Sequence, residues 1–180
     1  MKLMHVAPLL LLGLTGCATV RPPPTGPQVD LERFMGDWYV IAGKFTPFEK
    51  GAHNAIENYR LDEKGRIPTT FSFNKGALDG PRKTFTSMAF VHNQETKAEW
   101  RIQFFWPFRF PYLIVFLDDE YQATAVTTDD RKYLWIMARS PELCPALENR
   151  LMTRMTELGF DTNQFVRVPH GVVRKDPAPQ

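Results

Sequence analysis

Between residues 36 and 140 the chain repeats one pattern, short runs in which side chains alternate in character every second residue, with polar turns between them. A period of two places successive side chains on opposite faces of an extended strand. Trp38, Val40 and Ala42 alternate with Tyr39, Ile41 and Gly43. Ala55, Glu57, Tyr59 and Leu61 alternate with Ile56, Asn58 and Arg60 before an Asp62-Glu63-Lys64-Gly65 turn. Ile67, Thr69, Phe71 and Phe73 form the next such face, then Phe85, Ser87, Ala89 and Val91, then Trp100, Ile102 and Phe104. Tyr112 to Leu117, Tyr121 to Thr128 and Lys132 to Arg139 complete eight strand candidates. Many short strands joined by tight turns argue an all-β sandwich or barrel. Closure removes the unpaired edges an open sheet exposes, and an eight-stranded barrel has room for its own side chains or one small ligand.

Residues 112–117 and 133–138 are apolar on both faces, which a solvated barrel wall does not need. A helix to cover them follows in sequence. Ser140 is a suitable N-cap, with Pro141 at the first helical position, Glu142 in the first turn and Pro145 still within that turn. Leu143, Leu147, Leu151, Met155 and Leu158 form one apolar stripe, and Gly159 suits the C-terminal cap. Gln164 to Val168 reads as a last short strand. The expected fold is an eight-stranded antiparallel up-and-down barrel with one C-terminal helix packed outside and a short final strand.

Gly36-Asp37-Trp38-Tyr39, at the first strand, resembles the first signature of the lipocalins. Asp30 to Met35 resembles the short helix that precedes it there, and Thr127-Thr128-Asp129-Asp130-Arg131 is similar to the second signature, the turn before the last barrel strand. Arg139 matches the third. The resemblance implies that Gly36, Trp38 and Arg139 build the barrel base, with the guanidinium lying across the indole. Such a contact contributes about 0.5–2 kcal/mol. Leu31 to Glu49, Phe104 to Tyr112 and Tyr133 to Pro141 look specifically like the bacterial outer-membrane lipoprotein lipocalins and their relatives, the plant temperature-induced lipocalins and apolipoprotein D. Val40 departs from the acidic residue usual in this subgroup, and the 127–131 turn lacks the family's commonest Thr-Asp-Tyr form.

The N-terminal segment has a charged start, an apolar run from Val6 to Leu14 and then Leu14-Thr15-Gly16-Cys17-Ala18. It reads as a secretory signal, and its end resembles the lipobox of bacterial lipoproteins. The resemblance implies cleavage before Cys17 and acylation of its thiol. Two or more acyl chains anchor a protein stably. The absence of Asp after the Cys implies the outer membrane, on its periplasmic face. The expected organisation is a signal over 1–16, a lipidated Cys and Pro-rich tether over 17–29, the barrel domain over 30–168 and a flexible tail over 169–180. Cys144 has no partner in the chain other than Cys17 and reads as a half-buried small side chain.

Loss of Lys2 with the signal leaves 21 of the 22 Lys+Arg against 20 Asp+Glu, a balance that does not point to nucleic acid. The resemblance implies a fatty acid or lysophospholipid inside the barrel, and 14 phenylalanines suit an apolar ligand. Burying a 16-carbon chain gains on the order of 10 kcal/mol gross, from which immobilisation subtracts several. The candidate ligand residues are Phe71, Phe73, Trp100, Phe104, Tyr112, Ile114 and Trp135, with Tyr133 and Met137 sharing the parity of Trp135. Phe116 is grouped by alternation with Tyr112 and Ile114. Arg82, Lys83, Arg101 and Arg109 are candidates for a head group at the mouth.

No His, Cys and acid spacing resembles a zinc site, no Gly-rich phosphate loop is present, and Asp118-Asp119-Glu120 and Asp129-Asp130 fall in turns where Asp is expected. The reading is a binding protein, with no cofactor, rather than an enzyme. A carrier of another apolar ring, or a structural envelope lipoprotein plugged by its own side chains, remains open. So does a homodimer, through the Tyr39/Ile41 exterior or the mouth.

Overall fold

The computed structural model describes residues 28–171. The signal, Cys17 and the Pro-rich stretch through Pro27 lie outside the described residues, as do residues 172–180. A short helix, α1 (Leu31–Phe34), leads in, and the Asp30 carboxylate caps it by accepting from the backbone N–H of Glu32 and Arg33. Eight strands follow: β1 (Gly36–Lys44), β2 (Ala52–Tyr59), β3 (Arg66–Lys75), β4 (Arg82–Val91), β5 (Glu99–Phe105), β6 (Phe108–Leu117), β7 (Ala123–Thr127) and β8 (Leu134–Ala138). Each pairs antiparallel with the next, and β1 pairs with both β2 and β8, so the sheet closes on itself. The chain then forms α2 (Pro145–Glu157) and β9 (Val166–Arg167). The pairing of β1 with β2 stops at Tyr39, and β9 pairs with β1 above that point, at Ala42 and Gly43.

Two apolar clusters divide the chain. One fills the barrel and includes Phe34, Trp38, Tyr59, Phe73, Trp100, Tyr112, Ile114 and Met137. The other lies between the wall and α2, where Leu151 and Met155 are buried against Leu113, Val115, Ala123, Ala125, Ile136 and Ala138. The small alanines on β7 and β8 let the helix approach closely. This second cluster accounts for the strands that are apolar on both faces.

Register shifts interrupt four strand pairs, in β1, β2, β5 and β6, and those in β1 and β6 move residues between the two clusters. In β1, Val40 pairs with Met137 but Ala42 with Ile136, so Ile41 is an extra residue. Ile41 and Ala42 therefore both join the outer cluster, and Ala42 does not share the interior with Trp38 and Val40. In β6, the register shifts between Ile114 and Phe116. Phe116 packs on the outer cluster, and Leu117 takes the interior position.

The helix begins later than its stripe suggests. Pro145 is the first helical residue, and Cys144, in an extended conformation at φ −65° and ψ 144°, is the N-cap. A residue before proline is pushed out of helical geometry, so a helix cannot run from Ser140 through Cys144. Cys144 is exposed rather than half-buried. At the other end, Gly159 has φ +80° and its N–H reaches the Thr156 carbonyl at 2.8 Å.

The domain also extends beyond 30–168 at both ends. Val29 is buried, and its N–H donates to the Thr96 carbonyl at 2.8 Å. Residues 169–171 are not a free tail: the Pro169 carbonyl accepts from Asn54 N–H at 2.9 Å, and Gly171 exchanges two hydrogen bonds with the Asn54 side chain. His170 Nε2 lies 2.8 Å from the Val40 carbonyl, with its ring edge-on to Tyr39. The Tyr39/Ile41 exterior is thus partly covered, Tyr39 by the His170 ring and Ile41 within the outer cluster.

Candidate ligand-binding site

The barrel is closed at the end where β1 begins. Arg139 Cζ lies 3.8 Å over the Trp38 ring. Its guanidinium donates to the carbonyls of Asp37 and Arg33, each at 2.8 Å, and of Phe34 at 3.1 Å. Trp38 Nε1 donates to the Phe34 carbonyl at 2.8 Å, so α1, β1 and the end of β8 are tied at one point. Gly36 adopts φ +98°, and a Cβ there would stand 3.4 Å from the Arg139 guanidinium. Any larger residue would strain the backbone and crowd this contact.

Above the base lies a solid floor. Phe34, Trp38, Tyr59, Trp100 and Ile114 are fully buried, and Phe34 packs at 4.9 to 5.5 Å from the rings of Trp38, Tyr59 and Trp100. Trp100 satisfies its indole N–H on the Lys97 carbonyl at 2.8 Å. Trp100 and Ile114 are therefore floor residues, with no accessible surface of their own. The wall above them keeps some accessible surface at Phe71, Glu57 and Trp135. Tyr112 stacks between Trp100 and Trp135, at 5.8 and 6.3 Å. Phe73 is buried between Phe71 and Phe85, at 5.3 and 6.2 Å.

The opposite end is open and aromatic. Phe85, level with Phe71 across the β3–β4 pair, and Phe110, level with Ile102, are both exposed. Phe104 is 59% exposed and packs on Phe110 at 6.1 Å. The β5–β6 hairpin continues outward with Phe105, Phe108 and the 86% exposed Trp106. Of the candidate head-group residues, only Lys83 shares the side of its partner Phe73. Arg82 donates to Ser72 and Asn74 on the outer face, Arg101 pairs with Glu99 at 2.7 Å, and Arg109 covers the ring of Phe90.

Acidic groups inside the barrel were not legible as site residues. The 3-10 turn Pro47–Glu49, in the β1–β2 loop, leans over the mouth and buries Glu49. Glu49 accepts from Trp135 Nε1 at 2.7 Å, from Thr46 N–H at 3.0 Å and from the Thr46 hydroxyl at 2.6 Å. Glu57 lies on β2, level with Trp38 on one side and Phe71 on the other, and so faces inward. Burial, reinforced by the negative charge of Glu49, pushes its carboxyl up to about 8. The hydroxyls of Tyr59 and Tyr112 hydrogen-bond each other, and burial first of all drives both well above the ordinary phenol range. The alternation in β2 already contained Glu57 between Ala55 and Tyr59, and that parity was the available signal.

Two clefts lie outside the barrel against α2, of about 500 and 180 Å³. The larger is bordered by Asn149, Arg150, Arg154 and Glu157 and is a charged flank, unlike the enclosed apolar lining of a small-molecule site. Among the described residues no group of three or more His, Cys, Asp or Glu side chains could hold a metal ion.

Comparison with known proteins agrees with this geometry. A family model described as a lipocalin-like domain matches residues 29–170. The outer membrane lipoprotein Blc of Escherichia coli K12 is 32% identical over 152 residues, which cover 81% of this chain and 84% of that protein. Mouse apolipoprotein D is 32% identical over 153 residues, covering 79% and 78%. Insecticyanin from the tobacco hornworm Manduca sexta superposes with a TM-score of 0.66 at 18% identity, covering 85% of each chain.

Proposed function

This chain belongs to the lipocalins, and on that premise we propose that it binds a single-chain amphiphile, a fatty acid or lysophospholipid, in the upper half of its barrel while anchored to the outer membrane through Cys17. The family's members generally bind or carry ligands rather than transform them. The observation that carries the reading is the graded interior: a buried floor reaching up to Tyr112, a partly accessible wall of Phe71 and Trp135, and an aromatic mouth of Phe85, Phe104 and Phe110. The amphiphile would lie along the wall, between the floor and Lys83 at the mouth. The exposed hairpin from Phe104 to Phe110 gives an apolar path from a lipid surface to the interior.

Anchoring rests on the lipobox, the outer membrane agrees with the name of the E. coli relative, and the periplasmic face rests on Ala18 standing where an Asp would follow Cys17. The domain divides from its anchor after residue 28, and Gly36, Trp38 and Arg139 serve the base rather than the ligand.

Titration with palmitate and with palmitoyl lysophosphatidylcholine, followed by tryptophan fluorescence, tests the binding. The reading expects saturable one-to-one binding, weakened by Trp135→Ala while the circular dichroism spectrum keeps its β character. Failure of both ligands to bind would favour a barrel filled by its own side chains. Unchanged affinity in Trp135→Ala would remove Trp135 from the ligand contacts.

A further inference from the structure

Glu57 is the anomalous residue of the interior. It sits mid-barrel between Trp38 and Phe71, keeps part of its surface accessible, and among the described residues its carboxyl has no hydrogen-bonding partner. Its carboxyl oxygens keep access to solvent, so a ligand that closes off this space must supply a partner in its place. Resting on the binding reading above, we infer that Glu57 is the polar contact of the ligand cavity, a neutral carboxylic acid that donates its proton to an acyl oxygen of the bound amphiphile.

The surroundings support a donor rather than a cation-binding carboxylate or a simple packing residue. Its neighbours on the adjacent strands, Trp38 on β1 and Phe71 on β3, do not titrate. From its own strand comes Tyr59, from β6 Tyr112, and from the loop over the mouth Glu49. From β8 the interior faces are Trp135 and Met137. Arg139 acts from the base on Tyr59, and its donors are committed to carbonyls there. The two phenols share one hydrogen bond, and Glu49 already accepts three. Glu57 offers a carboxylic donor to the interior above the floor, with no protein acceptor competing for it among the described residues. A neutral acid in an apolar site is a good donor to a developing or formal negative oxygen, whereas its ionised form repels one. The acyl oxygen can belong to the carboxyl of a free fatty acid or to the ester of a lysophospholipid.

Binding should then weaken as pH rises through the titration of Glu57, which is about 8 in the empty protein. The test compares the wild type, Glu57→Gln and Glu57→Leu from about pH 6 to about pH 9.5. Palmitoyl lysophosphatidylcholine is the first probe, because its own charge is constant over that range. Wild-type affinity should fall about tenfold across the range, the loss of one buried hydrogen bond plus a new buried charge. Glu57→Gln, which keeps a neutral donor, should bind independently of pH. Glu57→Leu should bind independently of pH and more weakly than Glu57→Gln. Palmitate is the second probe, with Glu57→Gln reporting the ligand's own ionisation; a pH effect confined to one probe identifies the source of the acyl oxygen. The carboxylic C=O infrared band of the wild type should also shift on ligand addition at neutral pH, and be missing from Glu57→Gln. Binding that is flat with pH and equal in all three proteins would overturn the inference while leaving the binding reading intact. A rise in affinity with pH would overturn it in favour of a cationic ligand group. No binding by any protein at any pH would bring down the binding reading as well.

Discussion

Arg139 and Glu57 show opposite ways in which one side chain shapes the barrel. Arg139 binds four carbonyls, those of Arg33, Phe34, Asp37 and Tyr121, and one indole face with a single guanidinium, and all of its partners belong to the base. Arg139→Ala leaves those carbonyls without donors and should lower stability by about 3 kcal/mol, read from urea midpoints. Arg139→Lys should recover only part of this, because an ammonium cannot fork to several carbonyls while lying flat on the ring. Glu57 acts through its proton. Its carboxyl titrates near 4.5 when unfolded and at about 8 in the fold, so the folded chain holds the proton more tightly. That contribution is complete below the unfolded value and is lost as pH rises through the folded one, at no more than roughly 1.4 kcal/mol per pH unit. Thermal stability of the wild type should therefore decline from about pH 5 to about pH 8, and Glu57→Gln should flatten the decline and exceed the wild type at alkaline pH. The arginine was readable in the sequence, because a short motif names it. The glutamate was not, because a Glu in an alternating strand looks the same whether it faces water or a closed interior, and only closure of the sheet decides which.

At the scale of elements, periodicity located every strand, and local backbone chemistry decided where alternation stopped. Ile41 and Val115 each add one residue to a strand and turn the side chains beyond them to the other face. Nothing in their composition marks them, which is why Ala42 and Phe116 read as interior positions. The start of α2 was legible in principle, since Pro145 forces Cys144 to be extended, yet Ser140 and Pro141 offered an equally good cap four residues earlier. The helix itself stabilises the wall and not the cavity. Leu151→Ala removes a fully buried side chain between α2 and β7–β8 and should cost about 2–5 kcal/mol, while amphiphile affinity at a temperature where the fold persists stays unchanged. A matching loss of affinity would mean that the outer cluster sets the width of the interior.

The molecule as a whole has a polarity that no single element reveals. The chain enters beside the β4–β5 loop, where Val29 pairs with Thr96, at the closed end of the barrel, and the aromatic hairpin projects from the open end. From Cys17 to Val29 the chain can span at most about 40 Å, comparable to the length of a ten-residue strand with its loops. A barrel anchored as proposed would therefore have enough chain to turn its mouth towards the bilayer that holds it. The account's central claim is that the interior above the floor is occupied by one amphiphile in the cell. Native mass spectrometry of residues 18–180 purified from cells, followed by lipid extraction, tests it most directly. The account predicts a mass increment of one fatty acid or lysophospholipid per chain, recovered in the extract at near one-to-one. A chain that emerges empty and also rejects added lysophospholipid would contradict it and leave a barrel closed by its own aromatic side chains.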